Sequence, residues 1–283
     1  MKLGAIEGGG TKFLCGVGTA EGQIIESISI STTTPEQTLG HVIQYFAQHD
    51  VQAIGFGSFG PVEIDPANAA YGSMLDTPKP HWSKFPMLAY LKTQLAMPIV
   101  LNTDVNMAVV GEATWGAAAG LSSCLYMTIG TGIGAGAIVN EQLVHGFMHP
   151  EMGHMLVRRH EDDTYAGACP FHHSCLEGLA AGLAIEHRWG KQGASLGADH
   201  LAWEYEAYYI AQAIINAAAM LAPKKVIVGG GVMRQKQLLA KIRQEVLRLS
   251  NRYWPLDEQW IVPPKLGEFS ALKGALAVAR TAV

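Results

Sequence analysis

The sequence predicts an α/β fold made of two similar halves, and three features of the chain indicate it. Short apolar strands alternate with helices along most of the 283 residues, a pattern typical of α/β proteins. Each half opens with a strand, a glycine-rich loop and a second strand. Apolar residues make up 49% of the chain, enough to fill a large core. We therefore expect two domains, 1–115 and 116–269, and a charge-poor last helix, 270–283, that packs back on the first domain.

The first half should begin with a β-hairpin and end with a helix that follows a buried strand. The expected strands are 2–7, 13–18, 23–29, 52–57 and 98–102. The expected helices are 35–48, 86–96 and 105–115. Pro35 suits the start of the first helix, because an N–H group is not needed there. Residues 59–84 are rich in Pro, Gly and Asn, which is typical of a long loop with a function of its own.

The second half should repeat this order. We expect strands at 124–129, 135–140 and 225–228, and helices at about 176–189, 201–222, up to about 250, and 270–282. Residues 145–175 show no regular pattern. The repeated opening of strand, glycine loop and strand suggests an ancient duplication.

Composition and charge exclude several classes of protein. A net charge of −4 gives no general attraction to nucleic acid or to an anionic membrane. Glu7 interrupts the first apolar run, so we expect no signal peptide, a cytoplasmic location and four reduced cysteines. Residues 113–140 are uncharged, but six glycines divide them into a helix end, strands and a loop. We therefore do not expect a membrane span there.

Three glycine-rich loops follow short apolar strands and suggest phosphate binding. They are EGGGTK at 7–12, IGTGIG at 129–134 and VIVGGGVM at 226–233. Backbone N–H groups in such loops can face a phosphate, and a following helix adds the positive end of its dipole. The first loop does not match the P-loop pattern. A plain hairpin turn, which also favours glycine, is the alternative for it.

Asp104 lies between a predicted strand and a predicted helix. Aspartate is a favoured helix N-cap, and this structural role would account for the residue by itself. A carboxylate at the carboxyl end of a strand can also act as a general base, because open α/β sheets bind ligands at that edge. The two roles are compatible.

The segments HPEMGH and CPFHHSC carry a set of residues typical of a metal site. His154, Cys169, His172 and Cys175 provide two imidazoles and two thiolates. This nitrogen and sulfur set suits tetrahedral zinc, and four protein ligands imply a structural site. His173 is the alternative to His172, since spacing alone does not choose between them. Two reduced cysteines near surface histidines, without a metal, remain the other interpretation.

Taken in order, these motifs resemble those of the ROK family (repressor, open reading frame, kinase) over nearly the whole chain. The matching segments are IEGGGTKF, TTTPEQTL, SFGPV, TPKPHW, NTDVNMAVVGEATWGA, TIGTGIGAG, HPEMGH, CPFHHSCLEGLAAG and VIVGGGV. The resemblance, closest to the family's zinc-containing bacterial fructokinases, implies an actin- and hexokinase-like (ribonuclease H-like) fold with a cleft between two domains. It also implies a homodimer that uses ATP with Mg²⁺ to phosphorylate the 6-hydroxyl of a hexose, with fructose favoured by TPKPHW and IEGGGTKF.

The resemblance implies a role for individual residues. Asp104 would be the catalytic base. The residues implied at the ATP are Gly8, Gly9, Gly10, Thr11, Lys12, Thr131, Gly132, Gly178, Pro223, Gly229, Gly230 and Gly231. The residues implied at the sugar are Thr103, Asp104, Glu151, His154 and Glu177. His154 would serve both zinc and sugar, and Glu7 stands where hexokinase relatives usually carry Asp, next to the magnesium.

Three alternatives keep the family but change the function. A mannokinase or glucokinase differs from a fructokinase only in the preferred hexose. A sugar-responsive repressor would carry an N-terminal helix-turn-helix, whereas here the first strand begins at Lys2. A sugar sensor without catalysis would not need Asp104 or the glycine loops.

Overall fold

A computed structural model describes all residues 1–283, and the chain forms two compact units. Unit 1 consists of Met1–Gly120, Val144–His149 and Glu268–Val283, and unit 2 of Leu121–Leu143 and Pro150–Gly267. The segment that follows Glu268 ends the chain in unit 1.

Ten strands and eight α-helices make up the regular structure. The strands are β1 (Lys2–Gly8), β2 (Lys12–Thr19), β3 (Ile24–Ser31), β4 (Ile54–Ser58), β5 (Ile99–Thr103), β6 (Cys124–Ile129), β7 (Ile133–Val139), β8 (Gln142–Leu143), β9 (Val226–Gly229) and β10 (Ile261–Val262). The helices are α1 (Pro35–Phe46), α2 (Met87–Lys92), α3 (Asp104–Trp115), α4 (Leu176–Ala180), α5 (Gly182–Trp189), α6 (Ala202–Leu221), α7 (Leu238–Ser250) and α8 (Ser270–Ala279).

Unit 1 is built on a mixed sheet of order β3-β2-β1-β4-β5. Strands β1, β2 and β3 pair antiparallel, whereas β1, β4 and β5 run parallel. The carboxyl ends of these three parallel strands therefore meet at one edge, where Gly8 pairs with Ser58 and Ser58 with Thr103. Helices α3 and α8 cross closely, and glycine permits this contact. A Cβ on Gly111 or Gly274 would overlap the backbone of the other helix.

Unit 2 repeats this plan with a sheet of order β10-β9-β6-β7-β8. Strands β6, β7 and β8 pair antiparallel, and β6, β9 and β10 run parallel. Strand for strand, this is the order and direction of unit 1, which supports the predicted duplication.

The helices differ from the predicted ones in three places. The predicted helix 176–189 is divided at Ala181, whose backbone is extended. Helix α5 begins at the next residue, Gly182, whose N–H donates to the Gly130 carbonyl. Helix α7 begins only at Leu238, and a short 3₁₀ helix, Val232–Arg234, follows the third glycine loop instead. Helix α2 is also shorter than predicted and ends at Lys92.

No helix has both the length and the apolar character needed to cross a membrane. The uncharged stretch 113–140 is divided among the end of α3, β6 and β7.

Candidate active site

Asp104 begins helix α3 at the carboxyl end of β5. The N-cap is Thr103, whose Oγ1 accepts the Asn106 N–H at 3.1 Å. The prediction of Asp104 as the N-cap is therefore wrong, and the cap lies one residue earlier. Asp104 Oδ1 accepts the Val105 N–H at 2.8 Å. The second carboxylate oxygen has no protein hydrogen bond, which leaves it able to accept a proton or a ligand.

Glu7 and Asp104 form a pair of destabilised carboxylates in unit 1. Burial raises the pKa of Asp104 to about 7 against the effect of its backbone hydrogen bonds. Burial also raises the pKa of Glu7 to about 7, with the nearby Asp104 charge adding to the effect and Lys12 opposing it. Glu7 Oε2 is buried without a hydrogen-bond partner. Because an unpaired buried carboxylate oxygen is costly, this pair suits a bound cation.

The first glycine loop is a hairpin turn, closed by a hydrogen bond from Gly9 N–H to the Lys12 carbonyl at 3.0 Å. None of its three glycines has a positive φ, so the turn itself does not require them. A Cβ on Gly8 would lie 2.9 Å from Phe13, which explains that glycine by packing. Gly10 has no atom within 4 Å of a Cβ position and leaves bare backbone facing solvent, next to the exposed side chains of Thr11 and Lys12.

The second and third glycine loops lie side by side in unit 2, because β6 and β9 are neighbouring parallel strands. Gly230 has φ of 97°, and a Cβ there would overlap the Ile129 backbone. Gly130 and Gly231 have no positive φ, and the only atom within 4 Å of either Cβ position is the Gly132 carbonyl oxygen at 3.8 Å. Each of the three loops therefore contains one glycine that the fold does not demand, as expected where a ligand approaches bare backbone.

Glu177 fixes the second glycine loop. Its Oε2 accepts the Ile133 N–H at 2.9 Å and lies beside Gly132. Thr131, at the loop tip, is exposed. Gly178 is buried under the metal-type loop, since a Cβ there would overlap the His173 carbonyl. Packing thus explains Gly178, and its contact with a nucleotide stays a prediction.

The four predicted zinc residues come together in unit 2. The ligand atoms of His154, Cys169, His172 and Cys175 all lie within 4.8 Å of one another. His154 Nδ1 is 3.7 Å from the Cys169 sulfur and 3.5 Å from the Cys175 sulfur. Tetrahedral zinc places a nitrogen and a sulfur ligand roughly 3.5 Å apart. Burial raises the pKa of Cys175 to about 11, so a thiolate there calls for a bound cation.

His172, not His173, belongs to this cluster. Its Nδ1 lies 3.8 Å from the Cys169 sulfur. His173 is exposed and has φ of 51°, and its N–H donates to the Cys169 carbonyl at 3.0 Å. The structure thereby chooses between the two histidines that spacing left open.

Two other predicted residues lie in different settings. Glu151 is exposed just before the 3₁₀ helix Met152–His154, and its carbonyl accepts the His154 N–H at 2.9 Å. Pro223 is buried before the start of β9, at the opposite end of that strand from Gly229–Gly231. Its carbonyl accepts the Trp260 indole N–H at 2.8 Å, and its contact with a nucleotide stays a prediction.

One polar network near Asp104 was missed by sequence reasoning. The Asn106 amide donates to Asn102 Oδ1 at 2.7 Å and reaches His145 Nε2 at 3.4 Å. The two asparagines lie two residues on either side of Asp104, in the printed segment NTDVN. That symmetric spacing was the available signal, whereas nothing near His145 in the sequence pointed to this contact.

Two units of one mixed strand order, each opening with a glycine hairpin, define the actin- and hexokinase-like class of α/β proteins. The chain belongs to the ROK family, whose sequence pattern matches residues 3–282. Both findings confirm the resemblance read from the motifs.

Relatives in this family cover essentially the whole chain. A provisionally named fructokinase of Bacillus subtilis strain 168 is 50% identical over 99% of this chain and 96% of its own length. A fructokinase of Pediococcus pentosaceus is 46% identical over 100% and 99%. A ROK family glucokinase from Streptomyces griseus, solved with glucose and AMPPNP, has a TM-score of 0.80 at 25% identity, covering 99% of this chain and 100% of the other.

Proposed function

We propose that this chain is an ATP-dependent fructokinase that converts fructose to fructose 6-phosphate. The identity of 50% and 46% with relatives named as fructokinases, over nearly full length, carries this proposal. The carboxylate of Asp104, half-buried at the head of α3 with one oxygen unpaired, supplies the group that the reaction needs.

Asp104 is the general base of the proposed reaction. It accepts the proton of the sugar 6-hydroxyl as that oxygen attacks the γ-phosphorus of ATP, and the bond from this phosphorus to the β-γ bridging oxygen breaks. A pKa near 7 suits this role, because such a carboxylate is partly ionised at neutral pH and still accepts a proton readily. Thr103 holds the helix end that carries Asp104.

The glycine loops hold the phosphates of ATP in the proposed function. Gly10, Gly130 and Gly231 leave backbone uncovered by any side chain, and Thr11 and Thr131 add exposed hydroxyls. Kinase chemistry uses Mg²⁺ with ATP, and Glu7, whose buried Oε2 has no hydrogen-bond partner, is a carboxylate of unit 1 that would hold this ion and leave Asp104 free as the base. When bound, magnesium offsets negative charge on the transferred phosphate.

Zinc is proposed for the cluster of His154, Cys169, His172 and Cys175, in a structural role. With Nδ1 of His154 turned to the two sulfurs, Nε2 is left to donate to a sugar hydroxyl. Glu151 and Glu177 are the other proposed sugar contacts in unit 2. The proposal includes a homodimer, which sedimentation equilibrium tests directly.

A panel of hexoses tests the proposed function. Purified protein is given ATP, Mg²⁺ and one of fructose, mannose or glucose, and ADP release is measured by a coupled assay. We expect the highest kcat/KM for fructose. A preference for mannose or glucose would identify the protein as a mannokinase or a glucokinase instead. Absence of turnover with all three sugars would favour a sugar sensor without catalysis.

A further inference from the structure

We propose that His145 contacts the acceptor sugar through its Nδ1–H group and helps to determine affinity for the hexose. This inference rests on the proposed function and adds to it a residue outside the predicted set.

His145 lies on a segment that is fixed on unit 1. The segment Val144–His149, here called the strap, belongs to unit 1, although the residues on either side of it belong to unit 2. His149 is only 4% exposed, and its Nε2 accepts the Val62 N–H at 3.2 Å. His145 in turn meets Asn106 in the first turn of α3. The strap is thus fixed on unit 1 at two points, and the His145 contact lies within one turn of Asp104.

Asn106 determines which nitrogen of the His145 ring carries the proton. An amide nitrogen only donates hydrogen bonds, so Asn106 Nδ2 makes His145 Nε2 an acceptor. Asn106 is 1% exposed, and its second amide hydrogen is directed to Asn102 Oδ1, so its orientation is fixed. Burial lowers the pKa of His145, which favours the neutral ring. A neutral ring that accepts at Nε2 carries its proton on Nδ1.

The Nδ1–H group of His145 is open to a ligand. The His145 side of the strap is exposed, and Nδ1 has no hydrogen-bond partner in the protein. The geometry therefore presents a fixed, neutral donor close to the proposed base. A sugar, whose outer atoms are hydroxyl oxygens, can accept from this donor close to the base, and the phosphate oxygens of ATP are the other acceptors of the proposed reaction, so KM for each ligand is measured.

Two substitutions separate contact with the sugar from support of Asn106. In His145→Gln the amide occupies the place of Nε2, so the contact with Asn106 is kept and the donor at Nδ1 is lost. In His145→Asn the amide occupies the place of Nδ1, so the donor is kept and the contact with Asn106 is lost. His41→Gln, an exposed histidine of α1, is the control.

The measurement is KM for fructose and for ATP, kcat, and zinc content in each protein. We expect His145→Gln to raise KM for fructose about tenfold, the effect of one lost hydrogen bond, with KM for ATP and kcat changed less than threefold. His145→Asn should stay within threefold of the parent in every parameter. Any other ranking, including equal losses in both variants, overturns the inference. Failure of the proposed function would be recognised separately, as absence of hexose turnover in the unmodified protein.

Discussion

The two units share a frame and differ in the chemistry placed on it. In unit 1, Glu7 of β1 pairs with Gly57 of β4, and in unit 2 the corresponding pair is Thr128 of β6 and Gly229 of β9. The same strand position therefore carries a buried carboxylate in one unit and a hydroxyl in the other. The repeated sheet thus supplies a glycine hairpin in each unit, whereas the acidic pair lies in unit 1 and the metal cluster in unit 2.

The acidic pair of unit 1 should carry the largest functional effect. Asp104→Asn removes the proposed base, and we expect kcat to fall about 10²–10⁴-fold. The same change removes a carboxylate that burial destabilises, so the Tm should rise at pH 8. The measurements are kcat by coupled assay and thermal unfolding.

Asp65→Asn is the matched control, because Asp65 is exposed and its Oδ1 also accepts a nearby backbone N–H, that of Ala67 at 2.9 Å. It should change neither value. If Asp104→Asn retained kcat within a few-fold of the parent, unit 1 would no longer be the source of the base.

The metal cluster should dominate the stability of unit 2. His172→Asn removes a proposed zinc ligand, and we expect loss of the metal and a fall in Tm on the order of 10 °C. His173→Asn is the matched control. His173 has a positive φ, which asparagine tolerates, so this variant should fold and retain the metal. Metal content by atomic absorption, together with thermal unfolding, checks both variants. An equal metal content in the two variants would refute the cluster as a zinc site.

Substitutions in the glycine loops test whether the loop of each unit contributes to ATP binding. Gly10→Ala in unit 1 and Gly130→Ala in unit 2 place a methyl group where the protein leaves open space. We expect each change to raise KM for ATP about tenfold, as for one lost hydrogen bond, with little change in Tm.

Gly40→Ala is the control for these loops, because Gly40 lies inside α1 and also has no atom within 4 Å of a Cβ position. It should raise stability by about 0.5–1 kcal/mol and leave KM unchanged. An effect confined to one unit would restrict phosphate binding to that unit.

Sequence reasoning predicted the fold well where local patterns decide it. Apolar runs predicted the strands around the two hairpin glycine loops. Spacing predicted three of the four metal-type residues and left the fourth open between His172 and His173. The N-cap was misplaced, because Thr103 and Asp104 are both good caps and only the backbone shows which residue is the first helical one. The nucleotide contact of Pro223 came from resemblance alone and stays a prediction. The contact of His145 joins positions 39 residues apart, and no local pattern reports such a contact.

The pH dependence of kcat/KM reports on the acidic pair of unit 1. The pKa of Asp104 and of Glu7 is raised to about 7, so the base becomes protonated as the pH falls through 7. We expect kcat/KM at pH 6 to be about a tenth of its plateau value. Between the ordinary carboxyl pKa, near 4, and 7 the folded state binds more protons than the unfolded state. The stability contributed by this pair is therefore present at low pH and is lost as the pH rises through 7.

Glu7→Gln separates this pair from other titrating groups. Because the Glu7 and Asp104 charges repel each other, removal of the Glu7 charge should move the acid limb of kcat/KM to lower pH. A limb caused by titration of ATP would stay in place. A shift in the variant would therefore locate the titration in unit 1, and a profile flat between pH 5.5 and 8 in the unmodified protein would remove Asp104 as the base.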